Sequence, residues 1–205
     1  MTRLPALVLE PFGGQQERER LGLQALRLEA SVQLDRQGAA PGLRIEYRLI
    51  ADLGETPTAI RLPPPAPAPA RRDGLWEHSC LEAFVADASR SAYWELNLAP
   101  NGNWAVYRFS DYRSGQQAAE GAAPQLAVER EGGSLALRLQ WPLPLELAQA
   151  SELAIGITAV LEQRNGTLSY WALHHPGQQA DFHHRDGFIL QGSANGGCAA
   201  PPPPP

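Results

Sequence analysis

Lysine is absent from this sequence of 205 residues: all 17 basic residues are arginines, and 22 acidic residues give a formal net charge of -5. Proteins that bind the phosphate backbone of a nucleic acid concentrate positive charge on one face. The densest basic cluster here is the pair Arg71 and Arg72. The charge pattern therefore argues against nucleic acid as a partner.

Cysteine is scarce as well, with only Cys80 and Cys198, far apart in the chain. That spacing fits neither a Cys-X-X-Cys site nor a disulfide framework, so we expect two reduced thiols. No apolar run approaches the roughly 18 residues that a membrane-spanning helix needs. The first residues also lack the cationic stretch and sustained apolar run of a secretory signal. We therefore expect a cytoplasmic protein with no membrane partner.

Several catalytic motifs are missing too. The sequence contains no Gly-X-Ser-X-Gly, no His-Glu-X-X-His, no phosphate-binding glycine loop and no Cys-X-X-Cys. In enzymes these motifs position nucleophiles, zinc ligands, phosphate groups and redox thiols. Their absence leads us to expect a protein that is not an enzyme.

Alternation of apolar and polar residues is the strongest pattern that is present. Residues 26–35 are apolar at every even position, and residues 43–49 repeat the alternation at odd positions. A period of two predicts β-strands with one buried face. The other strand candidates are shorter runs, most of them bounded by turn residues: 60–62, 80–86, 93–98, 104–109, 126–130, 135–141, 153–161, 168–173 and 188–190.

Turn-forming dipeptides separate many of these candidate strands. Asn101-Gly102, Gly132-Gly133 and Asn165-Gly166 have the residues that tight hairpin turns require, so we expect three hairpins. Only residues 144–150 have a helical pattern, which is too little to supply the crossover helices of a parallel sheet. The sequence thus predicts an all-β protein, an antiparallel β-sandwich or barrel with at most one short helix.

The organisation of the chain is simple. We expect one domain over residues 1–191, followed by a disordered tail rich in Gly, Ala and Pro over residues 192–205. Alternating Pro and Ala over residues 63–69 favour a stiff, extended connector on the surface. One hypothesis for this connector and the tail is that they bind partner proteins.

Two blocks of sequence resemble a known family. The first is DGLWEHSCLEAF at residues 73–84, continued by YWELNLAPNGNWAVYRF at residues 93–109. The second is LSYWALHHP at residues 168–176, followed by DFHHRDGF at residues 181–188. In this order, over about residues 20–191, the blocks resemble the bacterial DOMON-like proteins, relatives of the family 9 carbohydrate-binding modules.

The resemblance implies a β-sandwich whose relatives bind sugars or haem, usually without catalysis. Ser79 and Leu81 stand where the family more often has Thr and Phe, and both exchanges are conservative. Some relatives hold haem between Met and His, but the single Met here is residue 1, so that ligation is not available. We therefore expect no cofactor, with haem as a less favoured alternative.

Polar residues fall among apolar ones on three consecutive candidate strands. Glu82 shares a face with Cys80 and Phe84, and the next strand carries a polar stripe. If the three strands are neighbours, their polar residues could converge on one concave surface. The residues concerned are Glu82, Tyr93, Glu95, Asn97, Trp104 and Arg108, with Trp76 and His78 in the loop before the first strand.

This composition suits a sugar, which offers hydroxyl groups as donors and acceptors and C–H faces to aromatic rings. We predict binding of a carbohydrate or a similar small polar ligand on this surface. Two alternatives stay open. Glu95 and Arg108 could form an ordinary cross-strand ion pair on a solvated face, and Glu82 with Glu95 could act as a glycosidase pair.

Four of the five histidines lie within residues 174–184, together with Asp181. Zinc and iron accept such ligands, which gives an alternative function: a haem- or metal-dependent redox or hydrolytic protein. Adjacent histidines on an extended chain point in opposite directions, so one centre would need His78 or Asp181 as well. The candidates are His78, His175, Asp181 and His183, and the last three also count as candidate ligand-binding residues. The plainer hypothesis is that Asp181 and His183 fasten the last loop to the sandwich.

Overall fold

The structure is a computed structural model that describes residues 6–36, 41–51, 59–119, 123–131, 134–193 and 198–199. Strands dominate these residues because short apolar or alternating runs are separated by turn residues. The strands are β1 (Leu7–Pro11), β2 (Leu26–Asp35), β3 (Gly42–Ala51), β4 (Cys80–Asp87), β5 (Tyr93–Leu98), β6 (Trp104–Phe109), β7 (Gln117–Ala118), β8 (Gln125–Glu131), β9 (Ser134–Pro142), β10 (Glu152–Glu162), β11 (Leu168–Ala172), β12 (Leu190–Ser193) and β13 (Cys198–Ala199). The helices are α1 (Gly14–Leu21) and α2 (Leu145–Ala148), with 3-10 turns at Leu75–Glu77 and Arg185–Gly187.

The strands form one curled sheet in the order β7-β6-β5-β4-β10-β11-β1-β2-β3-β9-β8, with β12 and β13 beside β10. All pairings between these strands are antiparallel, from β2 with β3 to β5 with β6. We call β1, β2, β3, β8 and β9 the β2 half, and the other strands the β4 half. β1 joins the halves, because Leu7 to Leu9 pair with β2 while Glu10 and Pro11 pair with β11.

The main core lies between the two halves, which makes the fold an antiparallel β-sandwich. Leu28 and Leu43 contribute to it from the β2 half, and Leu96 and Ile157 contribute from the β4 half; all four are fully buried. The all-β class and the antiparallel sandwich predicted from the sequence are confirmed.

The β4 half also buries part of its other face. A smaller outer cluster forms there from Phe84, Ala86, Tyr93, Ala105, Tyr107, Phe109 and Phe188. Gly156 makes room for it, since a Cβ at this position would lie 2.9 Å from Cδ1 of Phe188. Both faces of β4 are therefore buried, and a polar residue on this strand is buried whichever way it points.

The predicted hairpins agree with the strand pairing. Asn101-Gly102 joins β5 to β6, and Asn165-Gly166 joins β10 to β11, with φ of 95° at Gly102 and 86° at Gly166. β8 and β9 are paired as expected, and the Gly132-Gly133 dipeptide between them lies outside the described residues.

Some elements differ from the expectations. The helix predicted over residues 144–150 is the single turn α2, while α1, β1 and β7 were not predicted. Residues 60–62 form one bridge, from Ile60 to Gln163, rather than a strand. Within the segment for which disorder was predicted, residues 192–193 and 198–199 belong to strands, and the rest lies outside the described residues. No helix in the described part of the chain is long and apolar enough to span a membrane.

Candidate functional site

A cavity of about 350 Å³ lies on the outer face of the β4 half, the face opposite the main core. Its polar lining consists of two carboxyl groups, a guanidinium, an amide and an imidazole, and four aromatic rings line it as well. The polar residues are Glu82, Glu95, Arg113, Gln116 and His183, and the rings belong to Trp76, Phe109, Tyr170 and Phe182.

Strand register explains how residues distant in sequence meet in this cavity. Thr158, Glu82 and Asn97 lie opposite one another across β10, β4 and β5, so their side chains share the outer face. In the next row, Glu95 lies opposite Phe84. Glu82 and Glu95 are thus diagonal neighbours on adjacent strands.

The two carboxyl groups are almost completely buried, with Glu82 2% and Glu95 5% exposed. Oε2 of Glu82 accepts a hydrogen bond from Oγ1 of Thr158 at 3.3 Å, while its Oε1 has no hydrogen-bond partner. Burial, and then the charge of Glu95, raise the pKa of Glu82 well above its usual value. Burial also raises the pKa of Glu95.

A buried amide lies beneath these carboxyl groups. Nδ2 of Asn97 donates to Oε1 of Glu95 at 2.7 Å, and its Oδ1 accepts from the thiol of Cys80 at 3.5 Å. Burial raises the pKa of Cys80 well above its usual value, and the charge of Glu82 raises it further, so the thiol stays protonated. Asn97 therefore orients Glu95 from below the cavity.

One side of the cavity is a hydrogen-bond network between two loops. The Tyr93 hydroxyl lies 2.8 Å from Nδ1 of His183 and accepts the backbone N–H of Arg113 at 3.2 Å. The Arg113 guanidinium donates to Oδ1 of Asp181 at 2.8 Å, and the Tyr112 hydroxyl donates to Oδ2 at 2.6 Å. The loop after β6 is thereby tied to the segment that follows β11.

The protonation of His183 follows from its surroundings. Burial, and then the charge of Arg113, lower the pKa of His183 to about 4, so the imidazole is neutral at neutral pH. The Tyr93 hydroxyl accepts from Arg113, and we assign its own proton to the bond with Nδ1 of His183, an arrangement that places the imidazole proton on Nε2. His183 is thus a hydrogen-bond donor on the cavity wall.

Aromatic rings complete the walls. Trp76 is 38% exposed and meets the ring of Tyr107 edge to face, at 5.8 Å between centroids. The Tyr107 hydroxyl donates to Asp73 at 2.6 Å, which fixes the ring on which Trp76 rests. Phe109 stacks on Tyr93 at 4.9 Å. An exposed indole supported in this way offers a flat apolar surface to a ligand.

The structure brings together most, but not all, of the residues predicted from the sequence. Trp76, Glu82, Glu95 and His183 line the cavity. Tyr93, Asn97 and Asp181 lie behind it, each hydrogen-bonded to a lining residue.

The expectation that Arg108 and Trp104 belong to this surface is wrong. In the β5–β6 pairing Arg108 lies opposite Trp94, and Trp104 lies opposite Leu98, so both side chains are on the core face of the sheet. The Arg108 guanidinium is 5.2 Å from the Trp94 ring centroid and pairs with Glu146 at 3.2 Å. The hypothesis of a cross-strand ion pair with Glu95 is also wrong, because Glu95 lies opposite Tyr107.

The residue set of the metal alternative does not form one cluster. Nδ1 of His78 contacts Oε2 of Glu162 at 2.9 Å, and Nε2 of His175 contacts the backbone oxygen of Glu10 at 3.0 Å. Asp181 binds Arg113 instead. Among the described residues, no group of three His, Cys, Asp or Glu side chains could hold a metal ion. The plainer hypothesis for Asp181 fits better, since its Oδ1 accepts the backbone N–H of His183 at 3.2 Å.

The sequence interpretation missed seven lining residues: Phe109, Arg113, Gln116, Val160, Tyr170, Ala180 and Phe182. Phe109 and Tyr170 could have been found from the alternation of side chains along their strands, given the register. Phe109 lies opposite Tyr93 and Tyr170 lies opposite Val160, so both side chains are on the outer face of the sheet. Arg113 has left-handed backbone, with φ of 48°, in a turn whose path no sequence period encodes.

Replacing Arg108 with alanine should leave the cavity intact. Arg108 faces the other side of the sheet and forms an exposed ion pair and a cation–π contact, so the loss should cost about 1 kcal/mol of unfolding free energy. Chemical denaturation measures this cost, and calorimetry measures ligand affinity. A well-folded Arg108→Ala protein with weakened ligand binding would contradict the assignment of this residue to the core face.

The fold and the cavity together define the class: an all-β sandwich with a polar, aromatic-lined cavity on one sheet face. No family model and no curated protein sequence matches the chain. A solved structure from Bacteroides uniformis, described as "a putative carbohydrate-binding protein", has a TM-score of 0.60 and 11% identity, covering 90% of this chain and 84% of that one. At this identity the similarity shows a shared fold.

A second solved structure is a family 9 carbohydrate-binding module from Caldicellulosiruptor kristjanssonii in complex with glucose. It has a TM-score of 0.39 and 6% identity, covering 71% of this chain and 66% of that one. This similarity is too low to support an argument.

Proposed function

We propose that this chain is a non-catalytic binding protein for a carbohydrate or a similar small polyhydroxylated ligand, held in the cavity of the β4 half. The observation that carries the proposal is that hydrogen-bond donors and acceptors meet an exposed indole in one concave site. Carboxyl oxygens of Glu82 and Glu95 accept, Arg113 and His183 donate, and Trp76 offers an apolar surface. A sugar needs all three kinds of contact.

The size of the cavity supports a small ligand. At about 350 Å³ it lies near the lower end of the range for small-molecule sites, which combine apolar walls with a few polar groups. The fold shared with the Bacteroides uniformis protein, and the resemblance of residues 73–109 and 168–188 to DOMON-like proteins, point the same way.

The placement of the carboxyl groups favours binding over hydrolysis. A glycosidase pair flanks the scissile bond, with one carboxyl group on each side of it. Glu82 and Glu95 are diagonal neighbours on one face of the sheet, so both would meet a ligand from the same side of the cavity. We therefore assign both to ligand binding.

A thermal-shift screen of monosaccharides and disaccharides tests the proposal. A ligand at 100 times its Kd should stabilise the fold by about 2.7 kcal/mol, which corresponds to a rise in Tm of roughly 5–10 °C for a chain of this size. Trp76→Ala should remove most of this rise at little cost to folding, because the indole is 38% exposed.

Arg108→Ala is the matched control, since it removes a large side chain from the opposite face of the same sheet half. It should keep the ligand-dependent rise in Tm. If no sugar raises Tm, or if Trp76→Ala responds like the wild type, the proposed function is wrong.

A further inference from the structure

The floor of the cavity, formed by Glu82 and Glu95 on β4 and β5, holds two carboxyl groups and, among the described residues, no cation. In the described part of the chain, the hydrogen-bond partners of Glu82 and Glu95 are the neutral groups of Thr158, Cys80 and Asn97, and no ion pair involves either carboxyl group. Glu82 lines the cavity, and its Oε1 is buried with no hydrogen-bond partner. A buried polar atom without a partner is rare in native proteins, because its desolvation is not compensated.

The charged groups around this floor do not neutralise it. Among the described residues, Arg113 is the one arginine that lines the cavity, and its guanidinium is already bound to Asp181 at 2.8 Å. His183 is uncharged at neutral pH, since its pKa is about 4. Burial raises the pKa of Glu95 and the charge of Arg113 lowers it in part, but Arg113 forms its ion pair with Asp181, so the two carboxyl groups of the floor have no ion-pair partner among the described residues.

The remaining titratable groups that face the two carboxyl groups are neutral. Cys80 belongs to β4, Tyr47 reaches the Glu82 backbone oxygen from β3, Tyr93 belongs to β5 and Tyr107 to β6. Burial raises the pKa of each of these groups above its usual value, so they stay protonated. From β10 the neighbour is Thr158, which carries no charge.

Aromatic rings above an acidic floor match an organic ammonium group. The N–H groups of an ammonium donate charge-assisted hydrogen bonds to carboxylates, and its adjoining C–H groups lie against rings such as those of Trp76, Phe109 and Phe182. A neutral hydroxyl group can donate one hydrogen bond to Oε1 of Glu82, but it brings no positive charge to the two carboxyl groups.

We propose that the ligand carries a protonated primary amine, as an amino sugar does, and that its ammonium group binds between Oε1 of Glu82 and the carboxyl group of Glu95. This inference rests on the proposed function, because it names the class of sugar that the same cavity takes. It assigns Arg113, Gln116 and the Nε2–H of His183 to the hydroxyl groups of that sugar.

Isothermal titration with glucosamine, N-acetylglucosamine and glucose, in buffer with EDTA, tests the inference. Glucosamine should bind about tenfold or more tightly than glucose, since charge-assisted hydrogen bonds are stronger than neutral ones. N-acetylglucosamine should lose this advantage, because acetylation removes the charge. Lowering the pH from about 7 to about 5 should weaken glucosamine binding more than glucose binding, as the raised pKa values let the pair take up protons.

The isosteric variants Glu82→Gln and Glu95→Gln should each abolish the preference for glucosamine over glucose. Both replace a desolvated acid with a neutral amide of similar shape, and thermal unfolding without ligand checks that the fold is kept. Arg108→Ala should retain the full preference. Equal affinities for glucosamine and glucose would overturn the amine assignment while leaving sugar binding in place.

Three other outcomes would overturn the inference. If none of the three sugars binds, the proposed function fails with it. If both glutamine variants keep the preference for glucosamine, the ammonium group binds elsewhere. If calcium without sugar and without EDTA raises Tm more than glucosamine does, the acidic floor takes a metal ion rather than an amine.

Discussion

Replacing Trp171 with alanine should lower the free energy of unfolding by about 3–5 kcal/mol, a large share of the roughly 5–15 kcal/mol that a domain has in total. The indole is fully buried in the main core, its Nε1 donates to Oγ of Ser169 at 2.9 Å, and the Arg18 guanidinium lies 4.7 Å from the ring centroid. Alanine would leave a cavity and remove both the hydrogen bond to Ser169 and the cation–π contact with Arg18. Urea denaturation followed by circular dichroism measures the loss.

The neighbouring residue provides the control. Tyr170 is on the same strand but on the other face, where it is 39% exposed and lines the cavity. Tyr170→Ala should therefore cost far less stability than Trp171→Ala and should weaken ligand binding instead. Similar losses of stability in both variants would contradict the division of β11 into a core face and a cavity face.

Acidification should destabilise the native state through His183, by roughly 3 kcal/mol between pH 6.5 and about 4. In the unfolded chain this imidazole takes up a proton near its usual pKa of 6.5, whereas burial delays protonation in the native state to about 4. The unfolded state therefore binds more protons within this interval, and stability falls as the pH falls. Above pH 6.5 neither state is protonated and the effect disappears.

Denaturation curves for the wild type and His183→Gln across this pH range measure the effect. The measured quantity is the difference in unfolding free energy between the two proteins, because Glu82 and Glu95 change the stability of both in the opposite direction with pH. Their native pKa values are raised above the usual 4.5, so the native state binds more protons and their contribution to stability falls as the pH rises from there. Parallel curves for the wild type and His183→Gln would show that His183 is not buried in its neutral form.

Much of the fold could be predicted because the alternation of apolar and polar residues along a strand indicates which face is buried. In β2 the apolar residues at even positions are buried as their spacing indicates, and the Asn-Gly turns mark two hairpins correctly. α1 could not be predicted from apolar spacing, because none of its residues is buried. β1 is short and ends in Pro11, so its strand character depends on pairing with β2 and β11 rather than on its own sequence.

The candidate site could be predicted only in part. Glu82 and Glu95 were identified because carboxyl groups on apolar strands need partners. Arg108 and Trp104 were assigned to the wrong face because the alternation within a strand does not determine its register against the next one. That register depends on the loop between Leu98 and Trp104, and one residue more or fewer would reverse every side chain of β6. Arg113 and Phe182 come from loops, whose paths depend on tertiary contacts such as the Arg113–Asp181 ion pair.

The junction formed by β1 has a consequence for the rate of folding. This strand lies near the beginning of the sequence, yet it completes the curl by pairing with β11, whose residues come late in the chain. Closing so long a loop is entropically costly before native contacts compensate for it, and sandwiches rich in such distant pairings typically reach the native state in milliseconds to seconds. During synthesis on the ribosome, the cavity wall that contains Tyr170 can form only after β11 has emerged.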